Sequence, residues 1–154
     1  MSLEDTEAIR NLLQAAAWRL DNERSWSQWL DLFAHEATYE VRAQSSEIKA
    51  GMQWFCLDNR DALKSWMEEV PTHVRDVAQR LHIVSPLTID VQGDQAQSLS
   101  SFSLFRTTLD GETRLYAVGQ YEDHLVKRNG HWRFLKRTVR LHTRVLETGS
   151  HVPF

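Results

Sequence analysis

With 154 residues, 42% of them hydrophobic and 25% charged, the chain has the size and balance of one globular domain spanning residues 1–154. A net charge of −3 argues against nucleic acid as a partner, and no apolar run approaches the ~18 residues that crossing a membrane requires. The acidic start, Met1 to Thr6, lacks a signal peptide's layout, so a cytoplasmic location is expected, and a single cysteine, Cys56, excludes an internal disulfide or a self-contained iron–sulfur centre.

The first helix is expected over Leu3–Asp21, where Ile9, Leu12, Leu13, Ala16 and Leu20 recur at intervals of three and four, with Ser2 placed to cap it. A short second helix, Ser25–Phe33, carries the stripe Trp26, Trp29, Leu30 and Phe33. Ala37–Ala43 alternates as a strand, and Gln44–Leu57 is ambiguous. A third helix is capped by Asp58 or Asn59, buries Leu63, Trp66, Met67 and Val70, and stops at Pro71. Three turn signals follow: Gly93-Asp94, Asp110-Gly111 and Asn129-Gly130. They separate strands expected at Arg80–Val91, Gln95–Thr108, Thr113–Lys127 and His131–Leu146. Helices first and a long, curled, antiparallel-rich sheet afterwards make an α+β fold, with the N-terminal helices covering the sheet's concave face.

The last strand has an irregular pattern. Trp132 and Phe134 are apolar at even positions, whereas Val139, Leu141 and Val145 are apolar at odd ones, so the buried face must switch near Arg137 through a bulge or a change of what covers it. The even positions Arg140, His142 and Arg144 then form a basic row, which is either a solvated face or a contact with another chain.

Motifs for chemistry are sparse. There is no Gly-x-Ser-x-Gly elbow, no Gly-rich phosphate loop, and no His-x3-His or His-Glu-x2-His pair to fix two metal ligands on one element. His82, His124 and His142 read as surface or hydrogen-bonded residues, and no catalytic, cofactor or metal residue is assigned. A cone of this kind can enclose a cavity, and Tyr39, His82, Tyr116, Tyr121 and Asp123 are the residues able to line it for acid–base work.

The stretch Trp18-Arg19-Leu20-Asp21-Asn22-Glu23-Arg24-Ser25-Trp26-Ser27-Gln28-Trp29-Leu30-Asp31-Leu32-Phe33, continued by Ala34 to Tyr39, resembles the opening of the small (beta) subunits of aromatic-ring-hydroxylating dioxygenases. Gly119 to Val126, Trp132 to Arg137 and Leu141 extend that likeness. The opening alone is shared across the nuclear-transport-factor-two-like (SnoaL-like, cystatin-like) superfamily. The resemblance implies a cystatin-like conical α+β barrel. It also implies a non-catalytic structural subunit in aromatic compound degradation, whose large (alpha) partner holds a Rieske [2Fe-2S] cluster and a mononuclear iron, in a hexamer of three large and three small chains. Trp132, Arg137, Arg140 and Arg144, with Arg75 and Arg80, are expected near a subunit boundary. The alternative is a stand-alone isomerase, dehydratase or cyclase of the same fold. Ketosteroid isomerase, a relative, places its base aspartate after an Ala-Thr-x-Glu stretch; here Ala37-Thr38-Tyr39-Glu40 is followed by Val41, which cannot take a proton.

Overall fold

The structure, a computed structural model, describes residues 2–47, 49–69, 76–149 and 152–154. Helix α1 covers Leu3–Asp21. Its first turn is capped by the Ser2 hydroxyl, which accepts from the Asp5 amide at 3.2 Å. A 3-10 turn, Glu23–Ser25, leads into α2, Trp26–Leu30. Strands β1 (Phe33–Ser45) and β2 (Ala50–Leu57) precede α3 (Arg60–Glu69), whose amide at Ala62 donates to the Asn59 side chain at 2.8 Å. Then come β3 (Gln79–Gln92), β4 (Gln95–Thr107), β5 (Thr113–Arg128) and β6 (His131–Leu141).

The six strands form one sheet in the order β2-β1-β6-β5-β4-β3. The three predicted hairpins hold, with positive φ at Gly93, Gly111, Asn129 and Gly130. Several features depart from the sequence reading. The ambiguous stretch supplies an edge strand, β2, and β1 runs parallel to β6 inside the sheet. Helix α2 is also shorter than expected, because Phe33 already pairs with Phe134 as strand. Val70, Pro71 and Arg75 lie outside the described residues.

All five apolar residues of the predicted α1 stripe are buried, as are Leu63 and Met67 of α3. Between helices and sheet sits an aromatic cluster: Trp29 is 4.7 Å from Phe33, and Phe33 is 5.0 Å from Phe134, centroid to centroid. Each such fully buried side chain contributes roughly 1.5–3 kcal/mol. The exposed edge at β3 is covered by α1. The His82 amide donates to Asp21 Oδ2 at 2.7 Å, and Gln14 Nε2 donates to the Val84 carbonyl at 3.2 Å. Those helix side chains satisfy edge groups that would otherwise invite another strand.

The switch of buried face in the last strand is a bulge. Leu125 pairs with Phe134 and His124 with Lys136, so Leu135 is the extra residue. Beyond it Arg137, Val139 and Leu141 point inward. The strand stops at Leu141, not at Leu146, because the His142 amide turns to the Val118 carbonyl at 2.9 Å and the Thr143 hydroxyl takes the Val118 amide at 2.9 Å. Val145, expected to be buried, is therefore 86% exposed.

Candidate functional site

The concave side of the sheet narrows to a cone whose mostly apolar interior also holds polar and charged side chains. Odd positions bring Tyr39 from β1, Tyr121 and Asp123 from β5 and Arg137 from β6 to the inner face; from β3 come Arg80 and His82. All five residues proposed to line a cavity are buried: Tyr39, His82, Tyr116, Tyr121 and Asp123. Tyr121, Asp123 and His82 fall into two groups of contacts, and Tyr39 and Tyr116 both meet Phe154.

In the first group, Arg137 donates twice to Asp123, from Nε to Oδ1 and from Nη2 to Oδ2, both at 2.8 Å. Its guanidinium lies 4.0 Å from the Tyr121 ring centroid and 4.3 Å from that of Phe134. Burial raises the Asp123 carboxyl above its ordinary value, opposed by Arg137. Burial alone would lower Arg137, but the Asp123 carboxylate outweighs it and the guanidinium is held above its usual value. A carboxylate with both oxygens committed to one buried arginine is a structural partner and is poorly placed to act as a base.

In the second group, His82 Nδ1 lies 2.5 Å from Asp21 Oδ1. Burial lowers the imidazole's pKa, against the hydrogen bond and charge of Asp21. The ring is therefore neutral near pH 7, with Nδ1–H donating to Asp21 and Nε2 left as an acceptor. That Nε2 is buried with no hydrogen-bond partner among the described residues. Sequence reasoning missed Asp21. The available signal was a carboxylate on the last residue of a helix, where the helix dipole disfavours it.

The cone's mouth holds a cavity of about 180 Å³, lined among others by Leu20, Asp21, Trp26, Arg80, Arg106 and Tyr116. The Arg80 guanidinium lies 5.7 Å from the Tyr116 ring centroid and 6.0 Å from that of Phe154. Phe154 is itself buried, and its carbonyl accepts from the Tyr39 hydroxyl at 2.8 Å.

The residues expected at a subunit boundary are dispersed. Trp132 is buried in its own fold, donating from Nε1 to Asp5 Oδ1 at 2.9 Å; Lys127 reaches the same oxygen at 2.8 Å. Arg137 is inside the cone, and Arg80 is at its mouth. Arg140 and Arg144 remain part-exposed, Arg140 donating to Glu122 at 2.6 Å and Arg144 to Ser45 Oγ at 3.0 Å. On the sheet's uncovered outer face, Glu40 meets both Arg42 and Lys136. Burial would raise its carboxyl, but these cations outweigh it and hold it below its usual value.

Residues 1–138 match the SnoaL-like domain. The chain is 33% identical to the methanesulfonate monooxygenase hydroxylase subunit beta of Methylosulfonomonas methylovora, over 96% of this chain and 86% of that one. The chain belongs to the SnoaL-like family, among the oxygenase β subunits. It is also 27% identical to the 2-aminobenzenesulfonate 2,3-dioxygenase subunit beta of an Alcaligenes species, over 97% and 99% of the two chains. A solved structure assigned as the β subunit of an aromatic-ring-hydroxylating dioxygenase of Novosphingobium aromaticivorans superposes with a TM-score of 0.78, at 26% identity over 90% of each chain.

For a β subunit the donor set matters. A Rieske centre takes two cysteines and two histidines. This chain has one cysteine, and burial pushes the Cys56 thiol up, away from the thiolate a metal needs. Its residues do not fit such a cluster. Among the described residues, no three His, Cys, Asp or Glu side chains converge as metal ligands would. The stand-alone cavity enzyme is not favoured: the matched curated proteins are oxygenase β subunits, and Asp123 is locked to Arg137.

Proposed function

We propose that this chain is the non-catalytic, bracing small subunit of a ring-hydroxylating oxygenase, and that a large alpha subunit carries the Rieske cluster and mononuclear iron. The observation that carries the reading is end-to-end similarity: both curated β subunits match over more than nine-tenths of this chain, not over the opening motif alone. The chain acts as one unit within a cytoplasmic assembly of three large and three small chains. Among the described residues no helix is long and apolar enough to cross a membrane. Among the described residues of the predicted boundary set, Arg140 and Arg144 are the ones exposed enough to reach another chain. Both relatives are named for sulfonates, one aliphatic and one aromatic, which makes an organic sulfonate the first substrate class to offer the assembly.

The test is a comparison of the purified chain with the co-expressed pair. The chain alone is expected to hold no iron and to form no product from a sulfonate with reductase and oxygen, whereas the pair holds iron and turns over. Product from the chain alone would overturn the reading.

A further inference from the structure

The two edges of the sheet are finished differently. At β3 the α1 side chains Asp21 and Gln14 take up edge groups, at 2.7 Å and 3.2 Å. At the other edge, β2 pairs with β1 and with no other strand among the described residues. Edge strands are ordinarily guarded by charge or proline, which keep another strand away. β2, Ala50-Gly51-Met52-Gln53-Trp54-Phe55-Cys56-Leu57, has neither, and it is alone among the described strands in holding no Asp, Glu, Lys or Arg. Met52 stands 64% exposed on it. The charges come just outside the strand and are opposite in sign, Lys49 before it and Asp58 after it. A bulge at the midpoint gives β2 a further property. Phe55 pairs with Val41 and Gln53 with Arg42, so Trp54 is the extra residue. In a regular strand Ala50 and Leu57, an odd number of positions apart, would face opposite ways. Here the bulge sets both on the side of the buried Tyr39 and Val41, together with Met52 and Phe55, while Gly51 and Cys56 share the other side.

We propose that β2 is a self-pairing edge, which joins a second copy of this chain antiparallel across a two-fold axis between Gln53 and Trp54. On the inner side Met52 then meets Phe55 of the second copy, and Ala50 meets its Leu57. On the outer side Gly51 meets Cys56. At both ends Lys49 comes beside Asp58 of the other copy, so charge as well as face matches in this register. That match of the strand to itself is what favours a second copy over a foreign strand. A two-fold contact makes each pair twice and closes on itself, leaving no open β2 edge to seed a fibre. The pairing needs two copies of this chain and nothing else, so it stands apart from the oxygenase reading. Arg140 lies on β6, two strands in from this edge, and stays free for another partner.

The test is sedimentation of the purified full chain over a concentration series, with thermal melts to verify that each variant folds. The unsubstituted chain is expected to form a concentration-dependent dimer. Gln53→Lys, which sets two like charges beside the axis, is expected to weaken that dimer about tenfold or more. Lys49→Asp and Asp58→Lys are each expected to weaken it by a similar factor alone, because like charges then meet at both ends. Mixed in equal amounts, those two variants are expected to form a heterodimer as tight as the unsubstituted dimer, because each end again pairs opposite charges. Gly51 has room for a side chain, since a Cβ there would meet only the Ala43 carbonyl, at 3.7 Å. Gly51→Cys is therefore expected to cross-link two copies through Cys56 under oxidised glutathione, and adding Cys56→Ser is expected to abolish the cross-link. If Gln53→Lys does not fold, the charge-reversed pair and the cross-link decide. A monomer at every concentration up to about 1 mM, where even a weak specific contact is filled, would overturn the proposal. So would a dimer indifferent to the charge reversals, or a mixture as weak as its components. If Gln53→Lys weakens assembly with the large subunit and leaves sedimentation of the free chain unchanged, the edge belongs to that subunit and the proposal falls.

Discussion

Arg137 and Asp123 show why one residue's chemistry must be judged with its surroundings. A fully buried guanidinium is tolerable here because a carboxylate takes both of its forward donors and two rings cover its faces. Arg137→Met leaves Asp123 buried without its cation and is expected to cost about 3–5 kcal/mol in urea unfolding. Arg137→Met with Asp123→Leu should return most of that loss; equal destabilisation in the double variant would show that the pair is more than a compensated burial. His82 sets a pH dependence. Its pKa is lowered on folding, so the unfolded chain takes up the proton first, and Asp21, Arg80 and Arg137 are the charged groups acting on it. The sign follows: the stability it contributes is complete above its ordinary value of about 6.5 and is lost as pH falls toward the folded value. The urea midpoint is expected to drop more steeply between about pH 7.5 and pH 5.5 in the unsubstituted chain than in His82→Gln. Parallel slopes would remove His82 from that account.

At the scale of elements, the packing of β5 between β4 and β6 depends on close approach. A Cβ on Gly119 would lie 2.3 Å from the Arg140 carbonyl and 2.9 Å from the Phe102 ring, so backbone would have to move. Gly119→Ala is expected to lose about 1–3 kcal/mol, read as a lowered melting temperature; an unchanged melt would mean that β5 and β6 are free to separate there. Local chemistry made most elements legible. The α1 stripe, the Asn59 cap and the Asn129-Gly130 turn each follow from spacing or backbone preference within a few residues. The parallel pairing of β1 with β6 was not legible, because nothing in the Phe33–Ser45 stretch records which distant strand lies beside it. Edge strand β2 was hidden because it is half exposed and its residues lack alternation. The site divides in the same way. Tyr39, His82, Tyr116, Tyr121 and Asp123 were legible as candidates, but which of them point inward depends on register, and the bulge at Leu104/Phe105 changes parity along β5; Asp21 and Phe154 enter through contacts across 61 and 115 residues of chain.

For the whole molecule, the sheet has two unlike faces. The inner one is filled by helices, aromatics, the buried Arg137–Asp123 ion pair and the His82–Asp21 hydrogen bond. The outer one carries no helix among the described residues and presents the acid–base mixture of Glu40, Arg42, Glu122, Lys136 and Arg140. Part-exposed charge pairs of this kind add little to the stability of a lone chain but fix orientation when another chain covers them. Arg140→Glu combined with Arg144→Glu is expected to leave the isolated chain's melt within about 0.5 kcal/mol while weakening its assembly with the large subunit, read by analytical ultracentrifugation. Undiminished assembly would move the boundary to another part of the surface.

The central claim is that this chain braces an oxygenase whose metals lie in another subunit. Native mass spectrometry of the co-expressed pair, with iron counted per complex, tests it most directly. The account predicts large and small chains in equal number, with every iron retained by the large chain after the complex is dissociated. A small chain that flies as a monomer beside its intended partner, or that keeps iron once separated, would contradict it.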